Sequence, residues 1–256
     1  MTTCTELIDS WKREECEPFT GWDFSHLDGR MLEAQAPWSY STRAKELMRQ
    51  ARSLLDMGTG GGERLLKLRE HWPPKVVVTE DYPPNIRLAT ERLSPYGVKV
   101  FDVSLEEDNP MPFEDAEFDL VMNRHSGMNV SEVSRVLAPG GTFLTQQVHG
   151  LTIVDLISAF DGAPRWPEAT PEKYLSQLRS AGLTIVDCRE WSGPLAFKDV
   201  GAIVYYLKAV PWLVDGFSVD THLKYLEKLQ DKLDAGEELV FTNRRYLIEA
   251  HKPRTG

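Results

Sequence analysis

The chain has 256 residues, 41% of them hydrophobic and 10% aromatic, enough for one large domain or one domain with an elaborated cap. A formal net charge of −10, with no basic cluster longer than Asn243-Arg244-Arg245, argues against affinity built on phosphate neutralisation, so nucleic acid is not the expected partner. Cys4, Cys16 and Cys188 form no Cys-x-x-Cys pair, which argues against a metal site or a disulfide framework and fits a cytoplasmic protein; no signal-peptide or membrane-spanning pattern is expected either.

In chain order, a short helix is expected over 5–15, followed by an irregular aromatic stretch from Gly21 to Tyr40. Ser41 is positioned to cap a helix running to about Arg52. Strands and helices then alternate. Strands are expected at 53–57, 76–79, 98–102, 118–123 and 142–148. Helices are expected at 63–71, at 83–93 behind Pro83-Pro84, and from a Ser131 cap to Leu137. A helix starting at Thr170-Pro171 and ended by Gly182 leads to a sixth strand, 183–188, and 245–252 reads as a seventh. Such alternation indicates parallel βαβ units with right-handed crossovers. The stretch between strands six and seven holds an apolar, aromatic run at 199–212 and an amphipathic helix at 219–233. Residues 1–52 therefore read as an N-terminal helical and aromatic cap. Residues 53–256 read as the main domain, with an insertion at about 195–235 that is either a lid or plain packing.

The run Asp56-Met57-Gly58-Thr59-Gly60-Gly61-Gly62 follows a strand and opens a helix, so a ligand could approach the bare backbone beside unpaired N–H groups. Glu63 at the sixth position departs from the dinucleotide fingerprint and would repel a pyrophosphate, and no Gly-Lys-Ser/Thr follows, so the loop suits a ligand without phosphates. Glu80 ends the next strand, where a carboxylate can accept from both hydroxyls of a ribose. Asp102 ends the third, where it can accept from an exocyclic amine while Val103 offers its backbone N–H.

On these residues the chain resembles the class I S-adenosylmethionine-dependent methyltransferases. Asp56-x-Gly58-x-Gly60-x-Gly62 is similar to their first motif, Glu80 to the ribose-binding acid and Asp102-Val103 to the adenine-binding pair. Phe118-Asp119-Leu120-Val121 resembles the fourth-strand motif, and Glu132 through Gly141 resembles the helix and turn before strand five. The resemblance implies a Rossmann-like α/β fold: a seven-stranded sheet in the order 3-2-1-4-5-7-6, last strand antiparallel, helices on both faces, and here a helical insertion between strands six and seven. It implies S-adenosylmethionine as cofactor, held by Asp56, Gly58, Thr59, Gly60, Gly62, Glu80, Asp81, Asp102, Val103 and Asn123. Asp81 stands where an apolar residue or glycine is usual, and the strand six to seven connection is longer than usual.

Methyl transfer is an in-line displacement that orientation and dehydration can drive, with a base needed only for a protonated nucleophile. His125 at the strand-four exit reads as a general base or as a structural histidine. Arg124 reads as a contact for an acidic substrate or as a surface ion pair. Gln147 and His149 read as orienting groups or loop residues, and Trp22, Tyr40 and Tyr206 as acceptor-pocket aromatics or packing. A small-molecule acceptor is the expectation; an RNA or protein methyltransferase, or a cofactor-binding module without catalysis, are the alternatives. The oligomeric state is open.

Overall fold

The computed structural model describes residues 4–104 and 109–254. Helix α1 (Cys4–Cys16) carries Glu6 in its first turn and Arg13 in its last, matching the helix dipole. The aromatic stretch after it contains one 3₁₀ turn, Ser25–Leu27, and a short strand, β1 (Met31–Glu33), that sequence patterning did not show. Helix α2 (Tyr40–Met48) is capped by Ser39, whose hydroxyl accepts from the Thr42 N–H, so Ser41 lies in the first turn instead of at the cap. Strand β2 (Ser53–Met57) leads through the glycine loop to α3 (Glu63–Leu66). That helix is a single turn, because Leu68 leaves the helical region and a 3₁₀ turn, Arg69–His71, takes over. Strand β3 (Lys75–Glu80), α4 (Pro83–Leu93), β4 (Lys99–Asp102) and β5 (Phe118–Arg124) follow.

Helix α5 (Val130–Val136) is capped by Asn129, which accepts from the Glu132 N–H, and not by Ser131. Strand β6 (Leu137–Val148), α6 (Val154–Ala159), α7 (Pro171–Ser180, capped by Thr170) and β7 (Thr184–Phe197) come next. The expected insertion is α8 (Val200–Ala209, capped by Asp199) and α9 (Val219–Asp234, capped by Ser218), before β8 (Leu239–His251). Strands β7 and β8 far exceed their expected lengths. Charged residues and Gly193-Pro194 hide the extension of β7 in the sequence, but pairing with β1 supplies the hydrogen bonds: Met31 opposes Phe197 and Glu33 opposes Leu195.

The sheet order is β1-β7-β8-β6-β5-β2-β3-β4. Numbered without β1, this is the expected 3-2-1-4-5-7-6, and β8 runs antiparallel to β6. The correction is the eighth strand, β1, at the edge. Adjacent residues point to opposite faces. Leu55, Val121, Phe143 and Ile248 join one core with Val133 of α5 and Leu178 of α7. Leu54, Leu120, Leu144 and Leu247 join another with Ala44 of α2 and Leu93 of α4. Helices therefore cover both faces. Each fully buried leucine contributes about 1.5–3 kcal/mol.

The chain forms two compact units, 1–36 with 150–168 and 192–244, and 37–149 with 169–191 and 245–256. The first has its own core, in which Trp11 of α1 and Leu27 pack with Phe197, Ile203 and Leu226. The N-terminal segment and the insertion thus belong to one unit, whereas α2, which falls inside the expected 1–52 cap, packs in a core of the second. No helix among the described residues is long and apolar enough to cross a membrane.

Candidate functional site

All the sequence-derived cofactor residues lie in the second unit, at the carboxyl ends of β2 to β5. Parallel pairing sets Met57 beside Thr79 and Asn123, and Glu80 beside Asp102. The loop after β2 is built on alternate glycines: Gly58, Gly60 and Gly62 have φ of 64°, 64° and 82°, a left-handed backbone that disfavours other residues. A Cβ on Gly62 would also lie 3.0 Å from the Leu93 side chain of α4.

Glu80 organises the loop. One carboxylate oxygen accepts from the Gly60 N–H at 2.6 Å and the other from the Tyr82 N–H at 3.1 Å. Burial pushes its pKa up, against the pull of those two backbone donors. The Thr79 hydroxyl and carbonyl take the N–H groups of Gly58 and Thr59, at 3.3 and 3.0 Å. Asp56 accepts from the Thr59 hydroxyl at 2.8 Å, and burial pushes its carboxyl up to about 6. Asp81 and Asp102 are exposed.

Two details differ from the sequence expectation. The Val103 N–H donates to the Glu80 carbonyl at 3.2 Å, so the strand-end ladder already uses the donor expected to face adenine. Glu63 is ion-paired with Arg92, which also donates to the Gly61 carbonyl at 2.9 Å; its charge is compensated, and bare repulsion of a pyrophosphate no longer follows.

The exits of β5 and β6 hold a packed polar cluster. Asn123 is fully buried; its amide nitrogen donates to the Gly127 carbonyl at 2.9 Å, and its oxygen accepts from Thr145 at 3.2 Å and from Gln147. Gln147 is buried and also donates to Thr145 and to the Ser126 carbonyl. Both amides are engaged in holding the loop after β5, which makes them scaffold for the site. Tyr40 is buried too, its hydroxyl 3.4 Å from the Asn123 carbonyl. Its place is in the core of the second unit, which accounts for it without an acceptor.

His125 follows β5 with φ of 57° and donates its backbone N–H to the Gln146 carbonyl at 2.9 Å. Its pKa is held well below 6.5 by burial first, then by the positive charges of Arg124, Arg245 and Arg64. Gln146 and Trp38 complete its surroundings; the indole donates to Gln146 at 2.9 Å. Neither residue carries a sequence signal for this pairing, because 108 positions separate them. His149 packs edge-on to Tyr246, with ring centroids 6.2 Å apart.

Trp22 and Tyr206 belong to the first unit. Trp22 is exposed and meets Trp212 edge-on at 5.7 Å, while Tyr206 packs against Phe24 and Phe197. Arg135 lies inside the Glu132–Gly141 motif, which gave it no role of its own. It donates to the carbonyls of Met111 and Phe113 and pairs with Glu132 and Asp115, pinning the segment before β5 to α5.

Residues 55–145 match the methyltransferase domain family. A demethylmenaquinone methyltransferase of Deinococcus radiodurans is 31% identical over 114 residues, 41% of this chain and 46% of that protein. Its counterpart in Thermus thermophilus is 33% identical over 126 residues, 45% of this chain and 56% of that protein. The matches thus span about half the length of these relatives. The crystal structure of the YcgJ protein of Bacillus subtilis is similar in fold, with a TM-score of 0.61 at 18% identity, covering 85% of this chain and 99% of that one. The match at 55–145 takes in the glycine loop, Glu80, Asp102 and Asn123 at the β5 exit, and the sheet has the strand order these motifs imply; over these residues the chain carries a methyltransferase domain, similar to those of the class I, Rossmann-like methyltransferases.

Proposed function

We propose that the chain binds S-adenosylmethionine at the carboxyl ends of β2 to β4 and transfers its methyl group to a small-molecule acceptor. The observation that carries this reading is the Glu80 carboxylate, fixed at the end of β3 by the Gly60 and Tyr82 N–H groups. A carboxylate has about four lone-pair sites, so two remain for a pair of vicinal ribose hydroxyls. The left-handed glycines leave the loop backbone bare for close approach of the methionine portion. Asp56, at the loop's start, suits the cationic amino group, and exposed Asp102 suits the adenine amine. The residues present therefore fit the cofactor.

When bound, S-adenosylmethionine supplies an electrophilic methyl group on a sulfonium. The part left to the chain is to orient the acceptor and exclude water. The names of the two relatives support a small organic acceptor of the quinone kind. The cap role of 1–52 and the lid role of 195–235 belong to the same proposal, as does a cytoplasmic setting, which the exposed free thiols of Cys16 and Cys188 suit.

Calorimetry is the first test: S-adenosylmethionine and S-adenosylhomocysteine are expected to bind, with NAD and ATP far weaker. Equal binding of NAD would end the reading. The second is incubation of the protein with methyl-labelled cofactor and the small-molecule fraction of a cell extract. A labelled product of low mass is expected. Cofactor binding with no labelled product in any fraction would leave a binding module, and label in RNA or protein would move the acceptor class.

A further inference from the structure

The side chains around His125 fix which of its nitrogens carries the proton. An indole N–H can only donate, so the Gln146 atom that faces Trp38 Nε1 at 2.9 Å is the amide oxygen. The other end of that amide, its NH₂, then faces His125 Nε2 at 3.1 Å. An NH₂ group can only donate, so Nε2 must be the acceptor. A neutral imidazole with an unprotonated Nε2 holds its proton on Nδ1. The arrangement is rigid at both ends. Gln146 also accepts the His125 backbone N–H, and His125 sits in the left-handed region, where few side chains are tolerated without a compensating contact. Hydrogen bonds to Nδ1 are absent among the described residues.

The consequence for chemistry is direct. To act as a base, His125 would have to take a proton on Nε2, and that proton would then face the Gln146 NH₂. Turning the amide to receive it would set the same NH₂ against the Trp38 indole N–H. We infer that His125 is a neutral hydrogen-bond donor whose Nδ1–H holds an oxygen lone pair of the methyl acceptor, and that the acceptor reacts with no proton passed to His125. This rests on the methyltransferase reading above. In the step it serves, an electron pair of the deprotonated acceptor, one not engaged by Nδ1–H, forms the bond to the methyl carbon. The sulfur–carbon bond breaks with its electron pair kept by sulfur, and no proton transfer to the chain is needed. Acceptors of this class carry an oxygen already deprotonated at working pH, as a hydroquinone anion of the quinone kind does. The positive charges of Arg124, Arg245 and Arg64 act in the same sense, since they keep the ring neutral.

The test uses the full-length protein, ¹⁵N-labelled at histidine, with S-adenosylhomocysteine as the probe. Long-range proton–nitrogen correlation is expected to show His125 with its proton on Nδ1. In Gln146→Glu the carboxylate would accept from both neighbours, and the proton is expected to appear on Nε2. A proton on Nε2 in the parent protein would overturn the inference whatever the enzyme methylates. In the extract assay, His125→Asn keeps a donor near Nδ1 and tolerates the left-handed backbone, while His125→Gly keeps only the backbone. Asn is expected to be at least about tenfold more active than Gly, the scale of one ordinary hydrogen bond. A base role would instead cost both variants the same, about 10²–10⁴-fold, and that result would also overturn the inference. Failure of the cofactor to bind would sink the functional reading while leaving the tautomer assignment standing, so the two failures are distinguishable.

Discussion

Asp56, next to the last residue of β2, has a carboxyl that burial raises to about 6, and this has a sign that can be checked. Its folded pKa lies above the unfolded value of about 3.9, so the folded state holds the proton more tightly. The contribution to stability is therefore greatest at low pH and is lost as pH rises from about 4 through 6. Asp56→Asn retains an oxygen for the Thr59 hydroxyl and removes the charge. It is expected to be at least as stable as the parent at pH 7.5 and to lose that part of the pH dependence, as read by thermal unfolding at several pH values. A less stable variant at pH 7.5 would show that the charge is compensated in the fold. At Glu80 the expectation concerns binding. Glu80→Ala removes a charged acceptor and frees the Gly60 N–H, so affinity for S-adenosylmethionine should fall by about 1.5–3 kcal/mol in calorimetry. Unchanged affinity would show that the ribose is held elsewhere.

Helix α2 is tied to β8 by one ion pair. Arg43 donates through Nε and Nη2 to the two oxygens of Glu249, both at 2.7 Å, and Glu249 is 2% exposed while the Arg43 side chain is 38% exposed. The asymmetry decides which truncation is worse. Arg43→Ala leaves a buried carboxylate with only His251 beside it, at 3.4 Å, and should cost about 3 kcal/mol, whereas Glu249→Ala leaves an arginine that water can reach and should cost less. Equal costs in urea unfolding would refute this. The Glu249 pKa is lowered, chiefly by the hydrogen bond from Arg43. Its contribution is thus present above the unfolded pKa near 4.3 and lost as pH falls through the lower folded value. The end of β8 also serves α5: Lys252 donates to the carbonyls of Ser134 and Leu137 at 2.7 and 2.8 Å, satisfying the last turn of that helix.

Over the whole molecule, the core of the first unit and the residues proposed to hold the cofactor belong to different units. Leu226 of α9 is fully buried in the first unit, and Leu226→Ala should cost about 2–5 kcal/mol through the cavity it leaves. The residues proposed to hold the cofactor belong to the second unit, so affinity for S-adenosylhomocysteine in the folded variant is expected to change by no more than about twofold, the usual limit when two sites share no partners. Thermal unfolding and calorimetry on the same variant check both halves. Lost affinity in a folded variant would mean that the units are coupled in binding.

The sequence by itself determined the alternating α/β architecture and the positions of the glycine loop, Glu80 and Asp102, while the seven-strand order followed only from the resemblance those motifs carry. These are local facts: a strand period of two, glycine's access to left-handed backbone, and acids at strand ends are written within a few residues of one another. It could not show β1, because a three-residue strand between aromatic turns carries no periodicity and exists only through its pairing with Leu195–Phe197. The joining of residues 1–36 and 192–244 in one unit was equally hidden, since its apolar contacts bridge nearly two hundred positions. The state of His125 was hidden for the same reason. Its residue type announces a base or a structural imidazole, but the tautomer depends on a tryptophan and a glutamine on separate elements. Only the tertiary structure sets their donors and acceptors face to face.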